Sequence, residues 1–115
     1  MKSRAEIIAH ALKLIGVMGE DESPTAWQEQ TAGDALDGLF LEIQPSPFAP
    51  WSPVSGVPDG AFLALSRLLA AEIAPLFGVA APMSRAAAYI RVMAMIRPDD
   101  RPKEEEPSED YGFWS

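Results

Sequence analysis

Apolar residues recur at helical rather than alternating intervals along most of the chain, and their grouping divides it into four segments. In the first, KSRAEIIAHALKLIGVMG, Ile8, Leu12 and Ile15 fall on one face, while Glu6, His10 and Lys13 form an opposite polar stripe. Ser3 followed three residues later by Glu6 is the reciprocal capping arrangement for the first free N–H groups, and Gly16 supplies the left-handed residue that closes a helix. The pattern predicts a helix from about Arg4 to Ile15. A second helix starts near ESPTAWQEQ, capped either by Ser23 ahead of Pro24 or by Thr25 with Gln28, and runs to about Ile43. Trp27, Leu36, Leu39, Phe40 and Ile43 share one of its faces; Glu29, Gln30, Asp34 and Asp37 fall mostly on the other.

The stretch QPSPFAPWSPVSGVP, residues 44–58, holds five of the eleven prolines and cannot bond itself into a helix or inner strand. It is expected to be an extended loop, with Phe48 and Trp51 either covering the core or presented to a partner. A third helix follows from Pro58 or Asp59. Phe62, Leu65, Leu69, Ile73 and Leu76 make one apolar face, and Ala64, Ala71 and Ala74 leave little of the remainder polar. A helix apolar nearly all round must be surrounded, and a few short helices cover it poorly, so a subunit interface is expected around Arg67, Ala71, Ala74 and Pro75. Pro75 removes a helical N–H and should end or kink this helix, with Gly78 completing the stop. The fourth helix, PMSRAAAYIRVMAMIR, should begin at Pro82 and end near Arg97, before Pro98. The expected fold is all-α: a bundle of about four helices over residues 1–98, followed by a tail over residues 99–115.

Length and composition narrow the class. At 115 residues and 48% apolar content the chain can close one core but not two ordinary domains. It contains no cysteine, which excludes disulfides, thiolate nucleophiles and Cys-ligated zinc. Arg67, Glu72 and Arg85 interrupt the most apolar region, and the N-terminal residues lack the order of a signal peptide, so no membrane span and a cytoplasmic site of synthesis are expected. The net charge of −8 is uneven: from Asp99 onward seven acids face two bases, and this tail carries −5. That sign disfavours free binding to nucleic acid. The tail, PDDRPKEEEPSEDYGFWS, sets Tyr111, Phe113 and Trp114 after its acids; such aromatics serve either as anchors in partner pockets or, on a flexible solubilising tail, fold back on the chain's own core.

Candidate chemistry is sparse. His10 is the single histidine, and its polar stripe makes it a surface residue rather than a general base. Asp34 and Asp37 are neighbours at helical spacing, a pair more often solvated than catalytic. Arg85, Arg91 and Arg97 are spaced by six residues, about 240° of helical rotation each, so they point apart and read as separate ion pairs or snorkelling side chains rather than a phosphate-tracking stripe. No phosphate-binding loop or nucleophile motif occurs, and neither an enzymatic activity, a cofactor nor a metal is expected.

The segments ALKLIGV, EQTAGDALDGLFLEI and VPDGAFLALSRLLAAEIAPLFG, in this order and spacing, resemble the head-to-tail adaptor family of tailed bacteriophages, closest to the adaptors of short-tailed phages. The resemblance runs from about Ala5 to Met95, and LAAEIAPLFG, Leu69 to Gly78, carries most of it. It implies a helical virion protein that forms a ring, usually of twelve copies, beneath the portal protein at the portal–tail junction. Such a ring extends the DNA channel, retains packaged double-stranded DNA without binding it specifically, and offers a platform to the next tail component, a nozzle, hub or stopper. The C-terminal segment would lie along the portal, which gives Tyr111, Phe113 and Trp114 a portal-binding role and leaves Phe48 and Trp51 to a neighbouring subunit or the tail. Composition also admits a different class, a small cytoplasmic regulator or antitoxin-like protein that wraps a basic partner with its acidic tail.

Overall fold

The computed structural model describes residues 1–43, 51–52 and 56–95. The expected all-α architecture is what it shows: a compact globule of four helices, α1 (Arg4–Leu14), α2 (Ala26–Ile43), α3 (Phe62–Ile73) and α4 (Arg85–Met95), with no strand among the described residues. Three of the four helices, α1, α2 and α4, start where a side chain satisfies a free amide, whereas α3 has no side-chain cap. Ser3 Oγ accepts from the Glu6 amide at 3.2 Å while the Ser3 amide donates to Glu6 Oε1 at 2.8 Å. Of the two starts open for α2, the structure uses Thr25, whose hydroxyl accepts from the Gln28 amide at 3.1 Å and whose amide donates to Gln28 Oε1 at 2.9 Å. For α4 the expected start at Pro82 is corrected: Ser84 Oγ accepts from the Ala87 amide, and the helix begins at Arg85.

The central element is α3, which touches each of the other three helices. It is entered through a 3-10 turn, Asp59–Ala61, and continues into a second, Ala74–Phe77, that contains Pro75 and ends on Gly78 at φ +71°. The missing Pro75 amide thus tightens and closes the helix instead of bending it onward. By length and composition the span Asp59–Phe77 is apolar enough to cross a membrane, with a mean hydropathy of 1.5, but more than half of it is buried inside the globule. Leu65, Leu68, Leu69 and Ile73 meet Ile7, Ile8 and Leu12 of α1 and Leu36 and Ile43 of α2 in one core.

That burial corrects one expectation. Ala71 is 6% exposed and Ala74 0% exposed within a single chain, so neither has surface to offer a neighbouring subunit. The other three helices cover α3 because it is placed in their midst, with small alanines on the sides the large residues do not fill. The face assignments are corrected at two positions: Trp27 is 60% exposed, and Leu76 projects outward from the closing 3-10 turn.

The described part of the proline-rich segment is tied down rather than free. Lys2 and Val57 exchange backbone hydrogen bonds of 2.8 and 3.0 Å, and the Gly56 amide donates to the Ser52 carbonyl at 2.8 Å. These are isolated antiparallel bridges. Gly56 has φ +82°, and a Cβ there would collide with the Lys2 carbonyl, so this crossing requires glycine.

Candidate functional site

The seam between α3 and α4 differs at its two ends, and the difference begins with where the sequence places its arginines. The helices run antiparallel: Arg85, in the first turn of α4, reaches Glu72 in the last turn of α3, while Arg91 and Met95 lie beside Gly60, Leu63 and Arg67 at the other end. Between the ends, Ala88 and Val92 are the two buried residues by which α4 holds the body.

One end is closed by charge. Arg85 Nε donates to Glu72 Oε1 at 2.5 Å and Arg85 Nη2 to Glu42 Oε1 at 2.6 Å, joining α4 to both α3 and α2. These hydrogen bonds, to Glu72 first and then Glu42, hold the guanidinium pKa above its ordinary value. The guanidinium also lies 5.8 Å from the centre of the Tyr89 ring.

The other end is open. A groove of about 370 Å³ is walled by Leu63, Ala64 and Arg67 of α3 and by Arg91, Ala94 and Met95 of α4, with Gly60 at its mouth. Leu63 and Met95 are each 47% exposed. Positions 60, 63, 64 and 67 form one helical stripe, and 91, 94 and 95 form the facing one. No carboxylate among the described residues pairs with Arg67 or Arg91. Two guanidiniums over an apolar floor are suited to receive a carboxylate-bearing segment that also has apolar surface to bury, because each guanidinium can present paired N–H donors.

The field of this end is felt at α1. His10 is half-buried, with its ring 5.1 Å from that of Phe62, and its pKa is lowered, first by burial and then by the nearby charges of Lys13 and Arg67. The expectation of a solvated histidine is therefore corrected: its ring belongs to the packing between α1 and α3. Asp34 and Asp37 do not act together. Asp37 receives Arg4 Nε at 3.1 Å and Nη2 at 3.2 Å, and Asp34 Oδ1 accepts from Gln30 at 3.0 Å.

Of the residues expected to meet partners, Trp51 is 5% exposed and belongs to the core, which corrects its place as a contact presented outward. Arg67 is half-buried in the groove wall and Pro75 is exposed. Phe48, Tyr111, Phe113 and Trp114 lie outside the described residues, as does Arg97. Arg85 carries the ion pairs expected of the α4 arginines, whereas Arg91 does not, and its role as a groove wall went unread. The signal available was that Leu63 with Arg67, and Arg91 with Met95, each pair an arginine with an apolar residue four positions away. Trp27 and Phe77 add an exposed edge-to-face contact with centroids 5.0 Å apart, joining the start of α2 to the end of the α3 segment. Among the described residues no three His, Cys, Asp or Glu side chains converge as metal ligands. No protein-family model, curated protein or solved structure matches this chain.

Proposed function

We propose that this chain is a non-enzymatic assembly protein of a tailed bacteriophage: a head-to-tail adaptor that sits as a ring under the portal and carries the next tail component. The observation that carries the reading is the open end of the α3–α4 seam, where two guanidiniums have no carboxylate partner among the described residues and lie above exposed apolar side chains. A surface of this kind holds a partner segment through charge-assisted hydrogen bonds and apolar burial, and requires no chemistry. The order of the elements, with the central apolar helix ending at Pro75 and Gly78, also fits the sequence resemblance. Because Ala71 and Ala74 are internal, the ring contacts in this reading fall on Leu63, Arg67, Ile90 and Met95, which keep exposed or half-exposed surface. The acidic exterior suits a channel lining along which DNA slides, since phosphates are repelled from it.

The test is the mass of the intact protein by light scattering coupled to size exclusion, alone and mixed with a portal ring. Rings of the protein alone, or co-elution at about one copy per portal subunit that is lost with Arg67→Glu/Arg91→Glu, support the adaptor. A stable dimer or monomer that ignores portal overturns it and leaves the regulator class.

A further inference from the structure

The groove has an occupant of fitting chemistry in the same chain. We infer that the acidic segment Asp99–Asp110 folds back over the open end of its own α3–α4 seam and supplies the carboxylates that Arg67 and Arg91 lack. This inference uses the same groove as the adaptor reading but does not require that the protein be an adaptor. Three observations converge on it.

The first is charge. The segment holds seven acids against Arg101 and Lys103, while the groove presents two arginines with no carboxylate partner among the described residues. Because both arginines line the same groove, an anionic segment seated in it can meet both guanidiniums. The second is reach. Met95, the last described residue of α4, itself lines the groove, and Asp99 is four residues further on. Four residues span at most about 14 Å, whereas Arg91 lies one helical turn, about 5.4 Å along the axis, behind Met95. A chain that turns back after Pro98, which disfavours helical continuation, must first recover the rise of residues 96–98, and the twelve residues of Asp99–Asp110 give it the length to come level with Arg91 and then Arg67. The third is the floor. Leu63, Ala64, Ala94 and Met95 give apolar contact that acids alone cannot use, and Pro98, Pro102 and Pro107 interleave the acidic residues. Tethering adds an effective concentration on the order of millimolar, so modest contacts suffice for occupancy. A second chain competes at that level only when it is concentrated or brings extra contacts. The consequence is a self-covered docking groove, which an external partner enters by displacing the tail or by drawing the tail away.

The experiment uses the full chain labelled with nitrogen-15 and compares it with the Glu104→Gln/Glu105→Gln/Glu106→Gln variant, whose substitutions lie outside the helical body. In low salt, the Nε–H signals of Arg67 and Arg91 should shift on neutralising the tail, while that of Arg85, held by Glu72 and Glu42, stays in place. Reciprocally, Arg91→Gln should move the Asp99–Asp110 amide signals toward the positions that wild type adopts at about 1 M salt, where screening acts within about 3 Å. Arg67 and Arg91 signals identical in wild type and the tail variant would overturn the pairing. Tail signals that depart from their free positions only as protein concentration rises would overturn the same-chain occupant and assign the groove to the tail of a second copy.

Discussion

The two ends of the α3–α4 seam use the same residue type for opposite purposes. At one end a single arginine, Arg85, has two carboxylates, and α4 is fixed to α3 and α2 at once. At the other, two arginines have none among the described residues, and the helices leave a groove of about 370 Å³ between them. Folding needs the first arrangement and gains nothing from the second. A guanidinium that the fold leaves without a counter-charge, above an exposed apolar floor, is available to something that arrives later. The lesson is that arginines should be sorted by whether the fold neutralises them, since residue type and helical position alone do not separate Arg85 from Arg91.

The comparison breaks most severely if the seam itself is loosened. Val92→Ala removes one of the two buried residues that hold α4 and should destabilise the protein by about 2 kcal/mol, read as a lower denaturant midpoint with loss of both ends together. Next in size is Arg85→Ala. Its pairs are more than a third exposed, so solvent screening limits the loss to about 1 kcal/mol, a fall in Tm of roughly 5 °C. Adding Glu72→Gln should recover part of it by removing a carboxylate left without its partner. At the open end, Arg91→Gln should change stability by less than about 0.5 kcal/mol, because the described fold gives this side chain no charge partner. A loss as large as that from Arg85→Ala would erase the distinction between the ends.

The smallest effect is electrostatic. His10 titrates below its ordinary value of about 6.5 because the folded state disfavours its charged form. The unfolded chain therefore binds a proton more readily, so this contribution to stability is complete above about pH 6.5 and is lost as pH falls through the lower folded value. Arg67→Gln removes one of the cations facing His10 and should raise its pKa part of the way back, with burial and Lys13 still holding it down. Proton NMR of the His10 ring across this range gives the shift directly.

Helix identity and order were legible because they rest on local signals: Ser3 with Glu6, Thr25 with Gln28, and Pro75 with Gly78 each act within one turn of chain. Residue-level roles were less legible, since burial depends on packing between elements distant in sequence. Ala71 and Ala74 looked like surplus apolar surface only while α3 was considered alone; surrounding it by three helices uses them up. For Trp51 the sequence left two readings open, core cover or partner contact, and only the packing of the folded chain decides for the core. The groove was hidden for a related reason. Arg67 and Arg91 are 24 positions apart, and only the antiparallel turn between α3 and α4 brings their stripes together.

In the arrangement we infer, the open end of the seam is a carboxylate-receiving groove filled by the chain's own tail. Because the chain contains no cysteine, a single Ser108→Cys substitution gives one attachment point for a spin label in the full-length protein. With the labelled protein diluted into excess unlabelled wild type that carries no nitrogen-15, broadening of the Leu63, Ala94 and Met95 amide signals, lost in the Arg67→Gln/Arg91→Gln background, is the result expected. Signals at these three positions that are equally sharp with the label active and reduced would contradict it.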